Sequence, residues 1–117
     1  MRVITGSARG RKLKTLEGMD VRPTTDKVKE AMFSVIQFDI PGAKVLDLFA
    51  GSGQLGIEAL SRGAEHCTFV DKSKKSLDIV SDNLKSTGFS DKASVFNSDS
   101  VDFAKRASGR FSVALLD

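Results

Sequence analysis

Apolar residues in the second half of the chain form short runs that are separated by longer segments with helical spacing. Helices are predicted between these runs at about 54–62, 73–86 and 100–107. The runs, each of which predicts a strand, are 44–49, 66–70, 93–96 and 111–116. Continuous apolar strands that alternate with helices are typical of a parallel sheet covered on both faces. The pattern therefore predicts an α/β fold with right-handed crossovers.

The first 40 residues have a different pattern. Two strand-like runs, 2–5 and 11–14, flank a glycine-containing loop and predict a β-hairpin. After Pro23, apolar residues recur at helical spacing as far as Pro41, which predicts one helix. The residues of this stripe, which we expect to lie mostly in the core, are Val28, Ala31, Met32, Val35 and Ile36. We therefore divide the chain into an N-terminal hairpin and helix, 1–40, and an α/β unit, 41–117.

A Gly-x-Gly-x-x-Gly motif lies where the first strand of the predicted sheet meets its helix, at Gly51, Gly53 and Gly56. Glycine allows a sharp backbone turn and a close approach of the main chain to a ligand. The helix that begins near Gln54 points its unpaired N–H groups and positive dipole end into the same space. Although short motifs of this kind often match by chance, the strand before it and the helix after it support a site for a nucleoside-bearing cofactor.

The charges are distributed unevenly. Residues 1–29 contain eight basic and three acidic side chains, whereas the rest of the chain contains ten basic and twelve acidic ones. A basic head on a nearly neutral body predicts a polyanionic partner, with Arg9 and Arg11 placed near the hairpin tip to reach phosphate oxygens. The alternative is a solvated surface that only serves solubility.

Several other classes of protein are disfavoured. No apolar run approaches the roughly 18 residues of a membrane span, and the first residues lack the apolar core of a signal peptide. The single cysteine, Cys67, permits no internal disulfide, which favours a reducing, cytoplasmic location. His66 and Cys67 lie on opposite faces of a predicted strand and could not both ligate one ion, so we expect no metal site.

Acidic side chains recur at the carboxyl ends of the predicted strands. Asp47, Asp71, Asp99 and Asp117 all lie at or just beyond such an end, and open α/β sheets bind ligands along that edge. Asp71 follows Gly51 by 20 positions, where an acid can accept hydrogen bonds from both ribose hydroxyls. The alternative for Asp71 and Asp99 is a structural role as helix caps.

The charge of the site distinguishes two cofactors. A carboxylate at Asp47 would repel the pyrophosphate of a dinucleotide, but it would attract the ammonium and sulfonium groups of S-adenosyl-L-methionine. Asp99 would also suit the amino group of adenine. The residues therefore favour S-adenosyl-L-methionine.

Three blocks of sequence carry a family resemblance. They lie at 2–11, at 22–33, where Arg-Pro-Thr-Thr-Asp-Lys begins the block, and at 45–64 around the glycine motif. In this order they resemble the RsmD-like family of small-subunit (16S) ribosomal RNA guanine-N2 methyltransferases. The resemblance covers essentially the whole chain. It implies an incomplete Rossmann-like class I S-adenosylmethionine-dependent methyltransferase fold that acts on the exocyclic N2 of a guanine.

The resemblance also implies roles for individual residues. The cofactor would be held by Asp47, Phe49, Gly51, Gly53, Asp71 and Asp99. Ribosomal RNA, alone or in a partly assembled small subunit, would contact Arg9, Arg11, Lys12, Arg22 and Thr24. Asp117 would be the catalytic acceptor beside the guanine amine.

One departure from the family pattern concerns the end of the fourth strand. The family continues there with Asp/Asn-Pro-Pro-Tyr and with further strands, whereas this sequence ends at Asp117. We therefore expect the 117-residue chain to bind cofactor at best, with little or no turnover. The alternative is a non-catalytic nucleotide- or RNA-binding fragment of such an enzyme.

Overall fold

The computed structural model describes residues 2–15, 26–107 and 109–116. Four strands are present in this part of the chain: β1 (Lys44–Leu48), β2 (His66–Asp71), β3 (Ala93–Asn97) and β4 (Val113–Leu116). The helices are α1 (Asp26–Ile36), α2 (Gln54–Ser61), α3 (Lys74–Thr87) and α4 (Ser100–Arg106), with a short 3-10 turn at Ser90–Lys92. The predicted alternation of strand and helix is confirmed, and the element ends differ from it by one or two residues.

The strands form one parallel sheet in the order β3-β2-β1-β4. Asp47 of β1 pairs with Phe69 of β2 and with Leu115 of β4, while Asp71 at the end of β2 pairs with Asn97 at the end of β3. This register brings the carboxyl ends of the strands to one edge of the sheet. The edge carries the candidate site.

The two faces of the sheet bury different apolar clusters. On one face, Val45, Cys67 and Phe69 belong to a large cluster that includes residues of α2, α3 and the N-terminal segment. On the other face, a smaller cluster consists of Leu46, Leu48 and Val70 with the partly buried Phe103 and Phe111. Because successive strand residues point to opposite faces, these two sets alternate along β1 and β2.

Helix α3 shows how local sequence sets the element ends. The hydroxyl oxygen of Ser73 accepts a hydrogen bond from the N–H of Ser76 at 3.2 Å and caps the first turn. At the other end, Gly88 adopts φ +80°, a left-handed conformation that ends helices readily because glycine has no Cβ. Both ends agree with the sequence prediction.

The N-terminal hairpin is shorter than the sequence predicts. Among the described residues, its two arms pair through an isolated antiparallel bridge between Arg2 and Lys12, without forming extended strands. The arms exchange backbone hydrogen bonds from the N–H of Val3 to the carbonyl of Arg11 and from the N–H of Gly10 to the carbonyl of Val3, both at 2.9 Å. The loop between them also bonds to α2. The N–H of Ser7 donates to the carbonyl oxygen of Ser61 at 2.8 Å, and the N–H of Ala8 donates to the Ser61 hydroxyl at 3.0 Å.

The apolar stripe predicted for α1 is also partly wrong. Val28 and Val35 are 50% and 83% exposed, whereas Lys29 and Phe33 are completely buried. Helix α1 is therefore rotated so that a lysine points inward. Lys29 can lie there because its ammonium group finds a carboxylate, Glu58, and a backbone carbonyl.

Within the described ranges, none of the helices combines the length and the apolar character that crossing a bilayer requires. The division of the chain at residues 40 and 41 stays a prediction. One apolar cluster nevertheless joins Val3 and Phe33 to Val45 of the sheet.

Candidate functional site

The loop between β1 and α2 turns through three residues with positive φ. Phe49, Gly51 and Gly53 have φ values of +56°, +59° and +82°, and a hydrogen bond of 2.8 Å from the N–H of Gly53 to the carbonyl of Ala50 closes the turn. Gly53 is the residue before α2 and offers no side-chain cap to the helix. The first turn of α2 therefore directs N–H groups toward the loop, as the sequence predicted.

Asp47 supplies the negative charge at this helix end. Its side chain is 1% exposed, and Oδ2 accepts a hydrogen bond from the N–H of Gly56 at 3.0 Å. The carboxylate thus binds the N-terminal turn of α2 from the strand below, where the helix dipole favours a negative charge. Gly56 has to be a small residue, because a Cβ there would contact the Phe69 ring and would lie 2.7 Å from the sulfur of Cys67.

Asp71 joins the end of β2 to the glycine loop. Its Oδ2 accepts a hydrogen bond from the N–H of Gly51 at 3.1 Å, and its Oδ1 accepts one from the N–H of Ser73 at 2.8 Å. The side chain is partly exposed. Each carboxylate oxygen can accept more than one hydrogen bond, so both oxygens keep capacity for a ribose hydroxyl. The spacing of 20 residues seen in the sequence therefore corresponds to a direct contact between Asp71 and the loop.

The ends of β1 and β3 are connected through α4. The N–H of Phe49 donates to the hydroxyl of Ser100 at 3.3 Å, next to Asp99, and the Asn97 side chain donates to the carbonyl of Asp71 at 3.2 Å. Asp99 is exposed, and its Oδ1 accepts a hydrogen bond from the N–H of Asp102 at 3.0 Å. Asp99 thus has the helix-capping role that was its alternative, and a contact with adenine stays a prediction.

The space in front of the glycine loop is suited to a ligand. An added Cβ on Gly51 would meet no atom within 4 Å, so the main chain is accessible at that point. Phe49 is 50% exposed beside it. An accessible backbone turn, a helix N-terminus and a partly exposed carboxylate together fit a nucleoside cofactor with a charged tail.

A groove of about 540 Å³ lies beneath α4, on the face of the sheet that buries Leu46, Leu48 and Val70. Its lining includes Phe96, Phe103 and Arg106, and it meets the carboxyl edge only near Asn97 and Ser98. It is therefore separate from the glycine loop.

Cys67 lies under the site and is chemically protected. Burial, and to a smaller extent the charge of Asp47, raise the pKa of its thiol well above the ordinary value. The thiol therefore stays protonated and behaves as a small apolar group. In the three described ranges, no cluster of three or more His, Cys, Asp or Glu side chains could hold a metal ion.

The predicted RNA-binding residues are only partly described. Arg9, Arg11 and Lys12 are exposed on the N-terminal segment. Arg9 also borders a hollow of about 360 Å³, whose lining includes Arg2 and Glu30. Arg22, Thr24 and Asp117 lie outside the described residues.

A buried amide next to the site is not among the residues predicted from the sequence. Asn83 of α3 is 1% exposed and donates a hydrogen bond to the carbonyl of Ser52, within the glycine loop, at 2.9 Å. The available signal was its position three residues after Val80, on the buried side of the helix that also carries Leu77. A polar residue on an apolar face needs partners, and Ser52 is one of them.

Comparisons with known proteins agree with this geometry. A family model described as Conserved hypothetical protein 95 matches residues 1–117. YlbH of Bacillus subtilis, named as a candidate rRNA methyltransferase, is 54% identical over 85% of this chain and 54% of its own length. The ribosomal RNA small subunit methyltransferase D of Haemophilus influenzae is 42% identical over 100% of this chain and 62% of its own length. The chain thus spans little more than half the length of these relatives.

Solved structures give the same result. A candidate methyltransferase of Escherichia coli, yhhF, superposes with a TM-score of 0.78 at 42% identity, over 88% of this chain and 55% of that one. A SAM-dependent methyltransferase of Agrobacterium tumefaciens superposes with a TM-score of 0.59 at 28% identity, over 70% of this chain and 26% of that one.

The parallel sheet, the glycine loop and the neighbours with the same architecture define part of a Rossmann-like methyltransferase fold. This confirms the fold class expected from the sequence. The chain belongs to the RsmD-like family of small-subunit ribosomal RNA methyltransferases.

Proposed function

We propose that this chain is the cofactor-binding part of an S-adenosylmethionine-dependent enzyme that methylates the exocyclic N2 of a guanine in small-subunit ribosomal RNA. The observation that carries the proposal is the contact between Asp71 and Gly51, since it places a carboxylate against the glycine loop in a chain of this family. The named function of the Haemophilus influenzae relative supports the substrate class.

The residues at the carboxyl edge would divide the cofactor between them. Gly51 and Gly53 leave the main chain open to the methionine part, and the buried charge of Asp47 favours its cationic groups. Asp71 would accept hydrogen bonds from the ribose, and Asp99 one from the adenine amino group. When bound, S-adenosylmethionine supplies an electrophilic methyl group. The half-exposed ring of Phe49 lies at the same edge and would exclude water from the ligand.

The target amine limits what the protein can contribute. The lone pair of the guanine amine is delocalised into the ring, so alignment and a hydrogen-bond acceptor are the main forms of assistance. We propose Asp117 as that acceptor. Reaching the amine requires an unpaired or flipped nucleotide, which favours a loop or an opened helix as the RNA target. Ribosomal RNA as the substrate would also place the enzyme in the cytoplasm.

The N-terminal segment would bind the RNA backbone. Arg9, Arg11 and Lys12 are exposed together on one short loop that is fixed to α2. Arginine binds phosphate with two parallel hydrogen bonds, and a fixed loop loses little entropy on binding.

Calorimetry tests the cofactor assignment. The chain is titrated with S-adenosylhomocysteine and, separately, with NAD, and we expect binding of the first only. Binding of NAD alone would indicate a dehydrogenase-type pocket and would contradict the proposal.

Transfer of labelled methyl groups tests the reaction. Naked small-subunit RNA and partly assembled subunits are offered with labelled S-adenosylmethionine, both to the 117-residue chain and to a full-length relative. We expect incorporation with the relative and little or none with this chain, because it spans only 54–62% of the curated relatives' length. Cofactor binding without any transfer by the relative would favour the non-catalytic alternative.

Salt dependence tests the RNA surface. The double variant R9A/R11A should weaken RNA binding and reduce the slope of log K against log salt by about 0.7 for each lost phosphate contact to a single strand. The matched control is K85A/K92A, which removes the same number of exposed positive charges at the end of α3 and in the adjoining 3-10 turn. An equal loss in both variants would show that only net charge matters.

A further inference from the structure

Asn83 uses its whole side-chain amide in three hydrogen bonds. Its oxygen accepts from the N–H of Lys14 at 2.7 Å, while its nitrogen donates to the carbonyls of Lys14 at 3.0 Å and Ser52 at 2.9 Å. The amide therefore pairs with both backbone groups of Lys14, as a neighbouring strand would, and holds the glycine loop with its remaining hydrogen. A buried amide with all three of these partners fixes the position of each of them.

The two segments that Asn83 joins have different proposed roles. Ser52 lies between Gly51 and Gly53 in the cofactor loop, and it is buried. Lys14 follows the basic loop that carries Arg9 and Arg11. The ammonium group of Lys14 forms a separate, exposed ion pair with Asp82 at 3.3 Å. Asn83 is thus a direct link between the RNA-facing segment and the turn that receives the cofactor.

We infer that Asn83 is a positioning residue that holds the glycine loop ready for the cofactor and transmits cofactor binding to the N-terminal segment at Lys14. The inference rests on the proposed cofactor site. A ligand that fixes the loop fixes the Ser52 carbonyl, and the shared amide passes this constraint to Lys14. Such coupling is reciprocal, so an RNA that orders the N-terminal segment would strengthen cofactor binding by the same factor.

The substitution N83D separates shape from hydrogen bonding. Aspartate has nearly the same volume and can still accept from the Lys14 N–H, but it places a second oxygen against the carbonyls of Lys14 and Ser52. The matched control is D82N, which removes the exposed ion pair that Lys14 forms with α3 and leaves Ser52 untouched.

The experiment combines calorimetry with backbone amide NMR during titration with S-adenosylhomocysteine. In the wild-type chain and in D82N, we expect the same Kd and a shift of the Lys14 amide resonance at saturation. In folded N83D, we expect a Kd at least tenfold higher and no shift at Lys14. A merely structural role would lower the melting temperature without removing the Lys14 response.

Two results would overturn the inference while leaving the cofactor site in place: a Kd of N83D within twofold of wild type, or a Lys14 shift in N83D equal to that of wild type. If N83D does not fold, the wild-type titration decides alone, since a bound ligand that leaves the Lys14 resonance unmoved excludes the coupling. If wild type binds no S-adenosylhomocysteine, the proposed function fails and the inference fails with it.

Discussion

The ammonium nitrogen of Lys29 lies 3.5 Å from Oε1 of Glu58, and neither side chain reaches solvent. Glu58 also accepts hydrogen bonds from the side chain of Arg62 at 2.9 Å and from the N–H groups of Ile4 and Thr5 at 2.9 and 3.1 Å. One carboxylate on α2 therefore holds α1 and the N-terminal segment at once. The many hydrogen bonds offset the cost of removing these charges from water.

We predict that E58Q destabilises the chain by about 3–5 kcal/mol, because it leaves the buried Lys29 charge without its carboxylate. Urea unfolding followed by circular dichroism measures the change. D78N is the control, since it breaks the exposed pair between Lys74 and Asp78 at 3.4 Å and should cost less than about 0.5 kcal/mol. Equal losses in the two variants would contradict the prediction.

We predict that G56A destabilises the chain although alanine favours helices. Overpacking against Phe69 and Cys67 costs about 1–3 kcal/mol, which exceeds the roughly 1 kcal/mol gained in helix propensity. The free energy of unfolding is measured for G56A alone and in an F69L background. The smaller side chain should reduce the cost of G56A, and an unchanged cost would show that the ring is not the obstacle.

We predict that Cys67 lowers stability at alkaline pH. The thiol ionises near pH 8.5 in the unfolded chain but keeps its proton in the fold, because burial raises its pKa. Above about pH 8.5 the unfolded state therefore binds fewer protons than the folded state. The free energy of unfolding then falls by up to about 1.4 kcal/mol per pH unit. The comparison is with C67A between pH 7 and 10, where only the wild type should show this extra slope.

We predict that D71A weakens S-adenosylhomocysteine binding at least tenfold, because it removes both the proposed ribose acceptor and the hydrogen bond that holds Gly51. Calorimetry measures the Kd. D78A on α3 removes an exposed carboxylate elsewhere and should leave the Kd unchanged. An unchanged affinity of D71A would remove the ribose assignment.

Most of the sheet could be predicted from the sequence because its signals are local. Continuous apolar runs mark the strands. The side chain of Ser73 caps the start of α3, and the left-handed backbone of Gly88 ends it. The carboxylates Asp47 and Asp71 could be assigned to one edge because parallel strands end together.

The errors have a different physical origin. The inward orientation of Lys29 depends on Glu58, which is 29 positions away, so helical spacing alone favoured the wrong face of α1. The described N-terminal arms pair through an isolated bridge, and the loop between them bonds to Ser61 of α2, which lies 53 positions from Ala8. The role of Asn83 could not be predicted for the same reason, since its hydrogen-bond partners Lys14 and Ser52 are 69 and 31 positions away in the sequence.

Phe49 has a left-handed φ of +56° and a ring that is half in solvent. This conformation costs a residue with a Cβ about 1–2 kcal/mol, and glycine would relieve it. If Phe49 covers the bound cofactor, as we propose, thermostability and ligand affinity oppose each other at this one position. Directed evolution for heat resistance should remove the ring, and selection for tight cofactor retention should restore it.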